Sequence, residues 1–326
     1  MARIFIEGFE SGGLDLWDNI GSGASLISAP AGMDGSYAGQ VATSNAFLEK
    51  TLSAAAEYYA AFLSKITFSV AGSSSICQFK SASTILVDMK RNNTSGKIEA
   101  YRGSTLIATG TAVINLNQVY HLQVRANIHD TTGIVQVKVD GVLDLDFSGD
   151  TKPGTETTIN AFQIGQTTPN PMTIQFDNVV LDGAAWPGKT NIQAIRPTGA
   201  GNSTQWTPSA GSNWDCVDEV PASDADNVVT NANDQADLYA AGNLVGTIDS
   251  VVCVQVQARA VKEGVATPQN LALGVRTGAT DYFSSDKIIP TAAKSLFNLW
   301  VQNPNTSAAW TKTEVDGVEI GIKSRA

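Results

Sequence analysis

The sequence predicts an all-β chain built as two β-sandwich or jelly-roll domains in tandem, and three observations carry that expectation. Apolar and polar residues alternate strictly over several short stretches, the mark of strands with one buried face. Clusters of Gly, Asn, Ser and Pro separate those stretches, and convincing helical periodicity is scarce. At 326 residues the chain is too long for one comfortable core and short for three, so each of two domains can bury its own interior.

Taken in order, Ser53 to Tyr59 has the composition for a turn or two of helix, and Ile66, Phe68 and Val70 then alternate as a strand. The cleanest strand runs from Tyr120 to His129. Tyr120, Leu122, Val124, Ala126 and Ile128 fall on one face, and His121, Gln123, Arg125, Asn127 and His129 on the other. Val135, Val137 and Val139 follow with the same period, Asp140-Gly141 supplies a tight hairpin turn, and Leu143, Leu145 and Phe147 carry the returning strand. Residues 120–148 therefore read as a three-strand antiparallel meander whose apolar face a second layer must cover. Ile174 and Phe176 alternate downstream.

Pro and Gly without periodicity, in Trp186-Pro187-Gly188-Lys189-Thr190 and again in Arg196-Pro197-Thr198-Gly199-Ala200-Gly201, mark a boundary. The expected division is a first domain at 1–187, a linker at 188–200 and a second domain at 201–326. In the second part Asp237 to Ala241 could form a short helical turn. Val252, Val254, Val256, Ala258 and Ala260 alternate as a half-buried strand, as do Leu271, Leu273 and Val275, and Leu296 to Val301 reads as a late core strand.

Composition narrows the function classes. Hydrophobic residues make up 43% and charged residues 16%, which is not the profile of a disordered chain, and no apolar run approaches the roughly 18 residues that cross a bilayer. The net charge of −10 repels phosphate backbones and anionic lipid, and Lys90-Arg91 is the only adjacent basic pair, so neither nucleic acid nor membrane is an expected partner. Glu7 interrupts the first apolar stretch, so a secretory signal is not expected. Cys77, Cys216 and Cys253 are odd in number and widely spaced. Small buried thiols are the favoured reading, with a Cys216–Cys253 bridge as the alternative.

Few residues suggest chemistry. His121 and His129 lie about 26 Å apart along a straight strand, too far to share a metal, and read as solvent-facing. The face of His121, Gln123, Arg125 and Asn127 has the composition of a shallow glycan-binding surface. Asp144 and Asp146 alternate on one strand and are the only pair resembling a glycosidase carboxylate set, which is incomplete because Val142 and Ser148 flank them. From Pro197 to Ala258 there is no Lys or Arg while carboxylates accumulate. Asp224, Asp226, Asn231 and Asp234 are weak calcium candidates there, and the stretch is where a basic partner would be sought. No other metal or cofactor is expected.

The opening Ile4-Phe5-Ile6-Glu7-Gly8-Phe9-Glu10, the hairpin Val137-Lys138-Val139-Asp140-Gly141-Val142 and the closing Phe176-Asp177-Asn178-Val179-Val180 with Trp186-Pro187 resemble the concanavalin A-like, laminin-G-like lectin domain of tailed-bacteriophage virion proteins. The second part, with Asn213-Trp214, Val217-Asp218-Glu219, Pro221, the Asp224 to Asn231 stretch, Trp300 to Pro304 and Ala309-Trp310-Thr311, resembles a β-sandwich module of phage structural proteins. The resemblance implies a structural component of the virion, as a tail, fibre or collar part or a head decoration, without catalysis. It would act as a trimer or higher oligomer with itself and with other virion proteins. The alternative is a carbohydrate-binding adhesin for host surface glycans, and a polysaccharide hydrolase using Asp144 and Asp146 comes last.

Overall fold

The computed structural model describes residues 3–42, 45–166, 172–264 and 268–326. The chain is all-β, with two β-sandwich domains in tandem. Its contacts divide it into two compact units: Met1–Glu10 with Trp17–Ile192, and Gln193–Ala326 with Ser11–Leu16. Nothing in the sequence marks the short Ser11–Leu16 segment as part of the second unit.

The first unit runs through β1 (Arg3–Glu7), β2 (Asn19–Ile20), β3 (Ala24–Ser28), β4 (Tyr37–Val41), β5 (Ala46–Ala55), β6 (Glu57–Ser69), β7 (Ser73–Ser81), β8 (Thr84–Asn92), β9 (Lys97–Arg102), β10 (Thr105–Val113), β11 (Val119–Asn127), β12 (Gly133–Val139), β13 (Val142–Gly149), β14 (Ile159–Gln166) and β15 (Met172–Asp182). One antiparallel sheet has the order β13-β12-β11-β6-β15-β4-β3, with β1 also on β15; the other has the order β10-β9-β8-β7-β14-β5-β2. The meander is β11-β12-β13. Its turn residues Asp140 and Gly141 have φ of 50° and 87°, the two positive values that a tight hairpin of matching twist requires.

The two sheets meet through the inward set of each strand. Leu122, Val124 and Ala126 of β11 stand opposite Phe62, Ala60 and Tyr58 of β6. From there the Phe62 ring lies 6.4 Å from Phe162 of β14, which in turn is 5.3 Å from Phe79 of β7. Each of these phenylalanines is fully buried, contributing about 2–3 kcal/mol by removal from water.

Three local expectations need correction. Residues 53–59 are not helical: they end β5 and begin β6, because pairing of Tyr59 with Arg125 and Tyr58 with Ala126 outweighs the local preference of an alanine-rich stretch. Phe68 is 51% exposed, since Thr67 is an extra residue on β6 between the pairs Ile66–Ile174 and Phe68–Thr173, and this bulge turns Phe68 outward. Asp144, an extra residue on β13 opposite Val137 and Lys138, does the same to Leu143.

The second unit comprises β16 (Pro197–Thr204), β17 (Thr207–Pro208), β18 (Val228–Val229), β19 (Ala236–Ala241), β20 (Val254–Ala260), β21 (Asn270–Thr277), β22 (Thr280–Phe283), β23 (Lys287–Ile288), β24 (Lys294–Trp300), α1 (Lys312–Asp316) and β25 (Glu319–Arg325). Strands β16-β19-β25-β21-β22, with β23 on β21, form its larger sheet, and β20-β24 a ribbon. Asp237 to Ala241 is strand rather than helix, held between β16 and β25. Val256 joins Leu271, Leu273, Val275, Trp310, Val315 and Val318 in one core cluster. Helix α1 opens with a capping box between Thr311 and Glu314, which satisfies amide donors its first turn leaves open.

Candidate functional site

The expected glycan-facing row on β11 is largely closed. After β15 the chain doubles back, the amides of Ala184 and Ala185 donating to Asp182 Oδ1 at 2.9 and 3.1 Å, and the following residues reach the outer face of β11. There the Gly188 amide donates to Gln123 Oε1 at 3.0 Å. His121 and Gln123 are 6% and 4% exposed, so the expectation of open, solvent-facing side chains is corrected for both. Burial, and then the nearby Lys189 charge, hold the His121 imidazole below its ordinary pKa. Arg125 is half-buried; it bonds Glu57 and Gln136, and its guanidinium lies 5.5 Å from the Tyr59 ring centre. Asn127 is half-buried at the end of the strand, opposite Glu57. His129 is exposed, and its Nδ1 accepts from the amides of Thr131 and Thr132 at 3.1 Å each.

The other candidate residues are not gathered into sites. Asp144 Oδ1 accepts the amides of Thr111 and Ala112 at 2.8 and 2.7 Å, tying β13 to the edge strand β10, while Asp146 accepts from Gln136 at 2.8 Å. Asp224 forms a bidentate pair with Arg259 at 2.7 and 2.9 Å, Asp226 accepts from Ser209 at 2.7 Å, and Asp234 pairs with Arg325 at 2.7 Å and Lys323 at 3.5 Å. Asn231 is exposed. Among the described residues no group of three or more His, Cys, Asp or Glu could hold a metal ion. The base-free stretch thus finds cations within its own unit, from strands that the sequence places after it. Cys77, Cys216 and Cys253 are free thiols, the first two buried.

A polar row that sequence reading did not single out crosses the outer face of the seven-stranded sheet. On β7, β8, β9, β14 and β5 the inward positions are apolar, as in Cys77, Phe79, Val87, Met89, Ile98, Ala100, Phe162, Ile164 and Leu48, all within 1% of full burial. Alternation therefore sends Gln78, Asp88, Tyr101, Gln163 and Glu49 outward. Register aligns them: Glu49 pairs with Gln163, Gln163 with Gln78, Gln78 with Asp88, and Asp88 with Tyr101. Lys80, Lys90 and Glu99 flank the row, and Asn19 of β2 extends it opposite Glu49.

Hydrogen bonds link the row from Asn19 to Asp88, and Lys90 carries it on to Tyr101. Asn19 Nδ2 donates to Glu49 at 2.7 Å, and Lys80 bridges Glu49 and Gln163, the latter at 3.0 Å. Gln163 Nε2 donates to Gln78 at 3.2 Å, and Gln78 Nε2 to Asp88 Oδ2 at 3.0 Å. The Ser75 hydroxyl donates to the same oxygen at 2.9 Å. Lys90 Nζ stands 3.7 Å from it and 4.2 Å from the Tyr101 ring centre. Tyr101 Oη and Ser73 Oγ donate to Glu99 at 2.9 and 2.8 Å.

The carboxyls differ in setting. Burial pushes the Asp88 carboxyl above its ordinary pKa, against the pull of Lys90, Ser75 and Gln78. Burial also acts on Glu99, but donors from Asn92, Ser73 and Tyr101 outweigh it and hold that group low. The Tyr101 phenol is raised by burial and by its bond to Glu99. Gln163, Gln78, Asp88 and Glu49 are themselves buried, at 0, 1, 3 and 9% exposure, so the half-buried Lys80, Lys90 and Tyr101 are the groups a polyhydroxyl ligand meets first, with the amides and carboxylates beneath them as donors and acceptors. The sequence of 76–101 carried a partial signal, Gln78 and Lys80, Asp88 and Lys90, and Glu99 and Tyr101 at alternate positions of three consecutive strands, broken by Ile76 and Leu86 where the register shifts. The place of β14 between β7 and β5, which completes the row, is a long-range pairing without a local mark.

By sequence, no known protein family matches the chain, and no curated protein matches it. By fold, it is similar to the cellulose-induced protein Cip1 (11% identity, TM-score 0.42, covering 55% of this chain and 96% of that one). It is also similar to an endo-β-1,4-glucuronan lyase from the fungus Trichoderma reesei (11%, 0.41, 58% and 100%) and to the alginate lyase Aly36B (14%, 0.36, 45% and 81%). Sialidases are matched as well. At such identities the likeness is one of fold. The expectation of a non-catalytic phage structural protein is corrected on this finding: the solved structures named above are a cellulose-induced protein, polysaccharide lyases and sialidases, not virion components.

Proposed function

We propose that the first unit binds a glycan on the outer face of β5, β14, β7, β8 and β9. The in-register row of Glu49, Gln163, Gln78, Asp88 and Tyr101 carries this reading. Five adjacent strands about 4.8 Å apart give it a length of about 19 Å, enough for several sugar rings. Acceptors and donors alternate along it, and Tyr101 adds an aromatic surface for the apolar side of a ring. The net charge of −10 disfavours nucleic acid as the polymer bound there.

Affinity electrophoresis of the full chain in gels containing soluble polysaccharides tests the proposal. Lys90→Ala and Tyr101→Ala should weaken retardation about tenfold, a loss of about 1.4 kcal/mol, whereas Arg125→Ala on the opposite sheet should leave it unchanged. Loss of binding in Arg125→Ala with retention in both row variants would place the ligand on the wrong face for this proposal. A time course of reducing ends in the same mixtures reads whether a bound polymer is also cut.

A further inference from the structure

Within that glycan-binding reading, on which this step rests, we infer that the ligand is a neutral glycan and that one of its hydroxyls donates a hydrogen bond to Asp88 Oδ1. Asp88 is 3% exposed. Its Oδ2 accepts from Ser75 and Gln78, while Oδ1 is buried with no hydrogen-bond partner. A buried carboxylate oxygen without a donor is costly, and protein interiors seldom leave one so. The neighbouring side chains on this face are Lys90, two residues along the same strand, and Tyr101, directly across on β9. Both are only partly buried, and the lysine is long and flexible enough to move aside for a ligand.

Charge selects the class of sugar. Glu49, Asp88 and Glu99 oppose Lys80 and Lys90, giving −1 with every group ionised, and each lysine already faces a carboxylate: Lys80 faces Glu49, and Lys90 faces Asp88. No arginine lies on the row, although a guanidinium is the group that binds carboxylates in bidentate fashion. An acidic sugar would bring further negative charge to a patch with no spare cation. Neutral hydroxyls meet no such barrier, and one of them fills the open valence of Asp88.

The test is affinity electrophoresis of the full chain against neutral polysaccharides (a soluble β-1,3-glucan, xyloglucan, galactomannan) and polyuronates (alginate, polygalacturonate). Retardation by at least one neutral polymer and by neither polyuronate is expected. Binding of a polyuronate as tight as or tighter than any neutral polymer overturns the neutral class while leaving the glycan-binding reading intact; retardation by none overturns both. In Asp88→Asn the side-chain carbonyl keeps the Ser75 and Gln78 donors and an amide N–H replaces the acceptor at Oδ1, so affinity should fall about tenfold at unchanged melting temperature; unchanged affinity overturns the role of Asp88. Should that variant fail to fold, the salt dependence of the wild type decides. Affinity for the neutral polymer should vary less than about threefold between about 0.05 M and about 0.5 M NaCl, and a fall of more than about tenfold overturns the inference.

Discussion

Asp177 shows how one side chain can dominate a pH profile. It is fully buried, and its oxygens accept the amides of Asn178 at 2.6 Å and Asp34 at 3.0 Å. Burial pushes its carboxyl from the ordinary 3.8 up to about 7, with the Asp34 and Glu10 carboxylates adding to the rise against those two amides. An acid whose pKa is raised on folding holds its proton more tightly in the folded state. Its contribution therefore favours folding below about pH 4 and is lost as pH climbs through about 7. The stability of the wild type relative to Asp177→Asn should fall by roughly 2–4 kcal/mol between pH 4 and pH 8, measured by urea unfolding across that range. Parallel profiles for the two proteins would refute it. Asp144 makes a smaller case. Removing its carboxylate in Asp144→Ala strips the acceptor from two amides of the β10 edge, one at exposed Thr111 and one at half-buried Ala112, and should cost about 1 kcal/mol; a change within error in chemical denaturation would show that water replaces it fully.

At the scale of elements, period-2 alternation made the β11-β12-β13 meander legible down to its turn, because each of its pairings is local. The outward row on the other sheet was legible strand by strand but not as a row, since β14 enters between β7 and β5 from more than 75 residues away in sequence. The bulges that expose Phe68 and Leu143 insert Thr67 and Asp144 as extra residues in their own strands, a break of register that period-2 alternation does not mark. The doubling-back after Asp182 hid His121 and Gln123, two polar residues that alternation correctly put on the outer side. The meander turn yields its own prediction. Gly141 has φ 87° and open space where a Cβ would point, with no atom within 4 Å of that position, and Gly154 is equally open without a positive φ. Gly141→Ala should destabilise by about 1 kcal/mol from backbone strain alone, whereas Gly154→Ala should be neutral or slightly stabilising. Equal effects in thermal melts would remove strain as the cause.

For the whole molecule, the −10 net charge is less one-sided than the base-free stretch suggests, since Arg259, Lys323 and Arg325 return to Asp224 and Asp234. These carboxylates are well exposed, so each pair adds little to stability and weakens with salt. Stability rests instead on two separate cores. Val124 is 2% exposed, set between Ala60 and Val137 on neighbouring strands of the first unit. Val256 is 4% exposed in the cluster built by Leu271, Leu273 and Trp310 in the second. An aspartate at either position would bury an unpaired charge, costing on the order of 5 kcal/mol or more, a large share of a domain's stability. Calorimetry of the wild type should resolve into two transitions; Val124→Asp should abolish the one belonging to the first unit together with glycan retardation, and Val256→Asp the other while glycan retardation persists. Loss of both transitions in either variant would mean that the cores do not stand alone, and a native pair of transitions in Val124→Asp would mean that the inward face of β11 is wrongly assigned.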